Sequence, residues 1–353
     1  MRVLIAGAGP TGLTAAIELA RRGVEIKIVE KRPEGSGFSR AVGIMPKSLE
    51  LLTDSGVAER LLADGIRMAN FHIFLDGRER ASFTTRGADP KYDFLLALPQ
   101  DRTEAIMRER LAERRIKVAF GTTLAGFEQS SEGVTAAYAD RTTERFDYLI
   151  GADGVHSTTR KILGLAFNGY DLPETWSIAD VEARDWPYRG SFVISALSDG
   201  RVAVVAQIGD QRYRVISDTA DALETLALPL DVSQIHRQGT FGISVRQVEK
   251  YQVGRVFLAG DAAHCHSPVG GRGMNLGIAD AADLAGRLAG GDPSGYGAAR
   301  SPVGKAVIAA SEGARKIVTS GKWSRRVLFR LGLAAVRLLP RLRRRTARIV
   351  LRG

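Results

Sequence analysis

The 353-residue chain holds one cysteine, Cys265, and no apolar run near the ~18 residues that a membrane-spanning helix requires. A single cysteine excludes an intrachain disulfide and a four-cysteine zinc cluster, and it fits a reducing, cytoplasmic setting. The apolar start Val3-Leu4-Ile5-Ala6 ends at Gly7, too early for the core of an export signal. Repeats and low-complexity linkers are absent. Acid is missing from one stretch: residues 321–353 carry eleven Lys/Arg and no Asp/Glu, and without them the remaining 39 basic residues balance the 39 acidic ones. The formal charge of +11 therefore belongs to the tail, and the body carries no nucleic-acid signature. What is present, 44% hydrophobic and 25% charged residues, is the composition of a globular chain long enough for two cores.

The opening reads as a strand over Arg2–Ala6, a glycine turn, a helix over Thr11–Arg22 with Leu13, Ile17 and Ala20 at helical spacing, and a strand from Glu25 that finishes on Glu30. A second helix is expected over Arg102–Arg114, followed by strands at Ile116–Ala119, Val134–Tyr138 and Phe146–Ile150. Between Trp176 and Ile216 the texture changes to segments separated by Asp199-Gly200 and Gly209-Asp210, the pattern of antiparallel hairpins. Strand and helix texture resumes at Gly254–Ala259, with a helix expected over Gly273–Leu288.

These segments predict an α/β fold, a Rossmann-like nucleotide-binding domain with an inserted antiparallel β-sheet substrate domain and a helical C-terminal tail. The nucleotide domain is discontinuous (residues 1–70, 98–165 and 250–300), the substrate sheet takes 71–97 and 166–249, and 301–353 form the tail. Wound as one helix, Arg326, Arg330, Arg337, Arg341, Arg344, Arg348 and Arg352 share an arc of about 80° beside Val327, Leu331, Leu338, Leu342 and Ile349, with Pro340 kinking or restarting it. Two readings of the tail stand: a closing helix pair packed on the body or in a dimer interface, and peripheral contact with an anionic membrane.

Three motifs carry chemistry. In Gly7-Ala8-Gly9-Pro10-Thr11-Gly12, Gly7 permits a tight exit from the strand, Gly9 lets backbone approach a pyrophosphate and Gly12 allows helix to pack on strand. The helix N-terminus behind the turn attracts phosphate. Glu30 ends the next strand where a carboxylate bonds ribose hydroxyls, which favours FAD or NAD over NADP as the held nucleotide; Lys31 and Arg32 follow it. The second motif, Asp147–Arg160, runs from an apolar strand through Asp153-Gly154 into a helix. The third is Gly260-Asp261-Ala262-Ala263-His264-Cys265-His266-Ser267-Pro268-Val269-Gly270-Gly271-Arg272-Gly273-Met274-Asn275. Its His264-Cys265-His266 triplet invites a metal reading, but neighbours in an extended segment face opposite ways and no second ligand cluster exists. Cys265 reads as a small apolar residue rather than a nucleophile.

Together these motifs resemble the FAD-dependent aromatic hydroxylases, the single-component flavoprotein monooxygenases of para-hydroxybenzoate hydroxylase type. Two shorter matches extend the resemblance, Ser39–Gly43 with Arg40, and Leu98–Arg102 with Gln100 and Arg102. It implies an FAD whose pyrophosphate lies near Asp153 and Gly154, with Arg160 shaping the nicotinamide region. Arg40, Gln100 and Arg102 would lie along the cofactor. Gly260 and Asp261 would meet the ribityl chain, and Pro268, Gly271, Gly273, Met274 and Asn275 would flank the flavin ring. The implied reaction is hydroxylation of a small aromatic substrate by O2 through a flavin hydroperoxide, with NADPH or NADH as reductant, in a monomer or homodimer.

Departures limit the resemblance. The interval from Asp153 to Asp261 is short for the family, a thioredoxin-like domain such as some relatives carry is not expected, Arg272 stands where glutamine is expected, and Gly286 where tryptophan is common. No catalytic base is assigned: His72 and Tyr213 are conceivable, but a lone His or Tyr on a strand is more often a core or surface residue. Two alternatives remain, an FAD-dependent reductase or dehydrogenase acting on a polyprenyl or polyketide-like substrate, and a flavin-binding protein that associates with a membrane or partner.

Overall fold

The computed structural model describes residues 1–35, 40–319 and 323–352, with the side chains of 323–326 excepted. The chain begins with β1 (Arg2–Ala6), α1 (Pro10–Arg21) and β2 (Glu25–Glu30). There follow α2 (Pro46–Leu51), the hairpin β3 (Asn70–Leu75) and β4 (Arg78–Thr84), α3 (Gln100–Glu113), β5 (Ala119–Phe120) and β6 (Tyr148–Gly151). A run of strands comes next: β7 (Trp176–Arg184), β8 (Ser191–Ala196), β9 (Val202–Gly209), β10 (Arg212–Ser217) and β11 (Asp231–Phe241). The chain closes with β12 (Gln252–Val253), β13 (Val256–Leu258), α4 (Gly273–Ala289), α5 (Tyr296–Val318), α6 (Trp323–Leu338) and α7 (Pro340–Arg352).

The first sheet has the order β12-β13-β6-β1-β2-β5, parallel except for the edge pair β12/β13. Its central strands are apolar throughout because both faces are covered. Val3 and Ile5 pack under α1 and α4, whereas Leu4 and Ala6 face a meander of three strands, Leu124–Gln129, Val134–Tyr138 and Thr143–Phe146. The run expected as one strand over Phe146–Ile150 splits at Asp147, whose carboxylate accepts the Arg2 N–H at 2.6 Å; Phe146 belongs to the meander and Tyr148 to the parallel sheet. The strand expected at Ile116–Ala119 is reduced to Ala119–Phe120. Arg115, with φ 60°, turns the chain out of α3, and residues 116–118 carry it to the sheet edge.

The second sheet has the order β11-β7-β10-β9-β8-β3-β4, antiparallel except where β8 meets β3. It unites Asn70–Thr84 with the strands of Trp176–Phe241, and the tight connections fall at Gly200 and at Gly209–Gln211, where the turn dipeptides place them. The tail forms two helices rather than one, since Pro340 supplies the first residue of α7. Val336 of α6 and Ala347 and Leu351 of α7 pack with Met45, Phe71, Phe83 and Leu95, and Leu333 of α6 is buried, as the closing-pair reading requires. Arg326, the first member of the arginine series, lies outside the described side chains. Among the described residues no helix is long and apolar enough to cross a membrane.

Candidate cofactor site

The carboxyl ends of β1, β2, β6 and β13 meet the amino ends of α1 and α4, and the three motifs converge there. Gly7 takes φ 104°, donates its N–H to the Val29 carbonyl, and passes so close to the next motif that a Cβ would lie 2.3 Å from the Ala152 carbonyl oxygen. A Cβ on Gly12 would meet the Gly7 oxygen at 1.9 Å. Gly9 differs: nothing lies within 4 Å of its Cβ position. Two of the three glycines are thus consumed by packing, and Gly9 opens the backbone to a ligand at the mouth of α1. There Pro10 lacks an N–H, and the first-turn amides of Thr11 and Gly12 have no intrahelical acceptor.

Thr11 ties the first motif to the third. A Cβ on Gly260 would stand 2.4 Å from Thr11 Oγ1, and one on Gly277 would stand 2.2 Å from the same atom. Gly277→Ala is therefore expected to force α4 from α1 and destabilise the protein by about 1–3 kcal/mol. Thermal denaturation checks this; an unchanged melting temperature would contradict the close approach.

Glu30 is buried, and its carboxylate accepts the Ala8 N–H at 2.9 Å, the Arg32 N–H at 3.1 Å and the Arg32 guanidinium at 3.0 and 3.3 Å. Burial pushes its pKa up, but the hydrogen bonds from Arg32 and Ala8 outweigh that and hold it below the usual range. Arg32 thus stands against the carboxylate expected to meet a ribose, while Lys31 is exposed beside it. On α3, Gln100 donates to Glu104 at 2.9 Å, in the row that faces Arg32, whereas Arg102 pairs with Asp64 at 2.6 Å and Glu109 at 2.9 Å. Two residues apart on a helix is about 200°, so α3 does not aim both side chains at one ligand.

Asp153 accepts from Ser157 Oγ at 2.5 Å and from Thr159 N and Oγ1 at 2.9 and 3.0 Å, fixing the loop and the short helix Thr158–Ile162. Gly154 follows at φ 77° with open space at its Cβ position. Arg160 is buried rather than solvated: it donates to the Ala262 and Val155 carbonyls at 3.0 and 2.8 Å and lies 3.9 Å over the Phe167 ring. It thereby fastens the second motif to the third.

In the third motif Asp261 is exposed, and its carboxylate accepts no hydrogen bond among the described residues. The loop Pro268–Gly271 is closed by the Gly271 N–H on the Pro268 carbonyl, and Gly271, at φ 63°, is open at its Cβ position. Gly273 begins α4, and Met274 packs against the main core. Asn275 is saturated by protein: it donates to the Gly43 and Gly271 carbonyls, both at 2.9 Å, and accepts from Met45 N and Ser48 Oγ, both at 2.8 Å. It clamps the loop to α2. Burial drives the Cys265 thiol up to about 12, which leaves it unreactive as a nucleophile near neutrality. No group of three His, Cys, Asp or Glu able to hold a metal ion occurs among the described residues.

Sequence reasoning missed two buried networks. Asp280, on α4, accepts from His264 Nε2 at 2.5 Å, Arg300 Nε at 2.7 Å and Gly260 N at 3.1 Å, fixing the turn that presents Asp261. Arg214 of β10 grips Asp180 of β7 at 2.7 and 2.8 Å and donates to the Ala41 carbonyl at 3.0 Å, joining the second sheet to the Arg40 segment. Arg40 lies 5.0 Å over Phe241, at the end of β11; Ser39 falls outside the described residues. Tyr213, adjacent to Arg214, points to the opposite face, into the Trp186 cluster, and His72 pairs with Glu79 at 3.1 Å beside Tyr188.

A family model described as an FAD binding domain matches residues 1–225 and 217–310. The chain belongs to the FAD-dependent aromatic hydroxylase family. It is 34% identical over 384 aligned positions to 6-methylpretetramide 4-monooxygenase of Streptomyces rimosus, covering all of this chain and 68% of that relative. Among solved structures it resembles the anhydrotetracycline hydroxylase OxyS of Streptomyces rimosus, with TM-score 0.78, 28% identity, and coverage of 100% of this chain and 76% of that one. It also resembles the Diels-Alderase PyrE3 of pyrroindomycin biosynthesis, with TM-score 0.82, 26% identity, and coverage of 99% and 80%. The residues of the cleft fit the family's cofactor. Gly9 leaves the backbone open at a helix N-terminus, as a pyrophosphate requires, and Asp261 offers a free carboxylate beside it.

Proposed function

We propose that this protein is a monooxygenase that uses NAD(P)H and O2 to hydroxylate a phenolic or polyketide-like aromatic compound. The observation that carries the reading is the match of the whole chain to a 6-methylpretetramide 4-monooxygenase, joined to a cleft whose donors fit FAD. When bound, FAD supplies the electron transfer from nicotinamide and the activation of oxygen.

The chain's own residues hold and orient. The amides of Thr11 and Gly12, at the mouth of α1 beside Gly9, take the pyrophosphate together with the Asp153-Gly154 loop. Asp261 accepts the ribityl hydroxyls, and Glu30 the ribose hydroxyls once Arg32 moves aside. Backbone amides of the Pro268–Gly273 loop, at the N-terminus of α4, favour negative charge on the reduced ring, and Asn275 keeps that loop in place. The buried cluster of Val42, Met68, Ala97 and Ala206 packs the second sheet against the Arg40 segment.

The test is NADH and NADPH oxidation in air by the FAD-loaded protein, with and without a panel of phenolic and polycyclic aromatic compounds. Substrate-stimulated oxidation with matching oxygen uptake is expected. A second reading draws on the likeness to a Diels-Alderase: a flavin that shapes the site without oxygenating. Bound FAD, with no stimulation by any compound that nonetheless binds, would favour it.

A further inference from the structure

The closing helices α6 and α7 meet the body along one side only. Leu333 and Val336 on α6 and Ala347 and Leu351 on α7 face inward. Away from them, Leu328, Leu331 and Leu338 stand 60, 62 and 72% exposed, with Leu339 at 53% between the helices and Ile349 at 54% on α7. Every large apolar side chain more than half exposed among the described residues lies in this pair, so the exposure is concentrated rather than scattered. On α6, Leu328, Leu331 and Leu338 share an arc of about 80°, centred roughly 150° from Leu333 and Val336.

Positive charge is concentrated on α7. On α7, Arg341, Arg344, Arg345, Arg348 and Arg352 share an arc of about 100°, all exposed and none in an ion pair among the described residues. No acid occurs between residues 321 and 353 to neutralise them.

We propose that α6 and α7 form a docking surface for an anionic lipid membrane. The occupant follows from charge complementarity. A second copy meeting this face in a two-fold contact would set one arginine field against another. Nucleic acid would take the arginines and leave the leucines in water. A lipid surface takes both: leucines enter the acyl boundary while the arginines reach headgroup phosphates along their apolar stems. Since no described helix is long and apolar enough to cross, the pair lies in the interface. This proposal is independent of the reaction assigned to the cofactor cleft.

Flotation of the full chain with vesicles of phosphatidylglycerol and phosphatidylcholine, compared with phosphatidylcholine alone, tests it. Flotation with the anionic vesicles only, weakened by salt, is expected. Each basic residue near the surface is worth about fivefold in partition, so the double variant Arg344→Glu, Arg348→Glu should bind at least about thirtyfold more weakly. Leu331→Ser with Leu338→Ser should also lose binding at unchanged charge, with unchanged melting temperature and FAD content. Absence of flotation at low salt would overturn the proposal, as would flotation that the leucine variant leaves untouched. A stable dimer by light scattering that the leucine variant dissolves would assign the face to a second copy instead.

Discussion

Gly9→Val is expected to yield a folded protein that no longer retains FAD. The backbone of Gly9 is extended (φ −76°, ψ −179°), which a β-branched residue adopts without strain, and no protein atom lies within 4 Å of the new Cβ. The side chain would instead fill the space in front of the α1 amides. Losing hydrogen bonds to a charged pyrophosphate should cost roughly 2–4 kcal/mol, about thirty- to a thousandfold in FAD affinity. Melting temperature without added FAD should change little. Gly12→Val is the contrast, since its Cβ would collide with the Gly7 carbonyl and the fold itself should fail. Flavin fluorescence titration checks both; stoichiometric FAD in Gly9→Val would contradict the placement of the pyrophosphate.

Asp280→Ala should be among the most destabilising single changes in the chain. Asp280 is fully buried, and its removal leaves the Arg300 guanidinium, His264 and the Gly260 N–H without their acceptor. Breaking a buried pair from one side costs about 3–5 kcal/mol, a large part of the 5–15 kcal/mol typical of a folded protein. FAD affinity should fall as well, because the Gly260 turn presents Asp261. Urea denaturation measures the loss, and a change under about 1 kcal/mol would contradict the network.

The same carboxylate sets an acid limit. Burial alone would raise the pKa of Asp280, but His264 and Arg300 hold it below its ordinary 3.8, and Arg32 and Ala8 hold Glu30 below 4.5. A depressed folded pKa gives stability that is present above the unfolded value and lost as pH falls through the folded one. Stability should therefore hold above these ordinary values and decline below them, and Asp280→Asn should flatten that decline.

The glycine turn was legible because its physics is local: the strand, the turn and the start of the helix lie within the first twelve residues, and Glu30 ends the next strand. The third motif was legible as a spacing, yet its stereochemistry depended on partners far away. Thr11 meets Gly260 and Gly277, and Asn275 donates to Gly43 and Gly271 and accepts from Met45 and Ser48. Nothing near Asp280 in sequence announces Arg300 or His264 as its partners, because α4 and α5 bring them together only in the fold. Arg214 and Asp180 were hidden for a different reason: a strand alternates faces, and the buried ion pair occupies positions that read as solvated. The split at Asp147 was missed because two strands of different sheets share one apolar run. The two-helix tail was legible from Pro340, whereas the side of each helix that packs was not.

The most direct measurement is the reaction of FAD-loaded protein with NAD(P)H and an accepted phenolic compound under oxygen gas of the heavy isotope. The expected product is heavier than its substrate by one heavy oxygen atom, in proportion to nicotinamide consumed beyond the substrate-free rate. A product formed without label from the gas, or consumption of an aromatic substrate with no oxygen gained, would contradict the monooxygenase assignment.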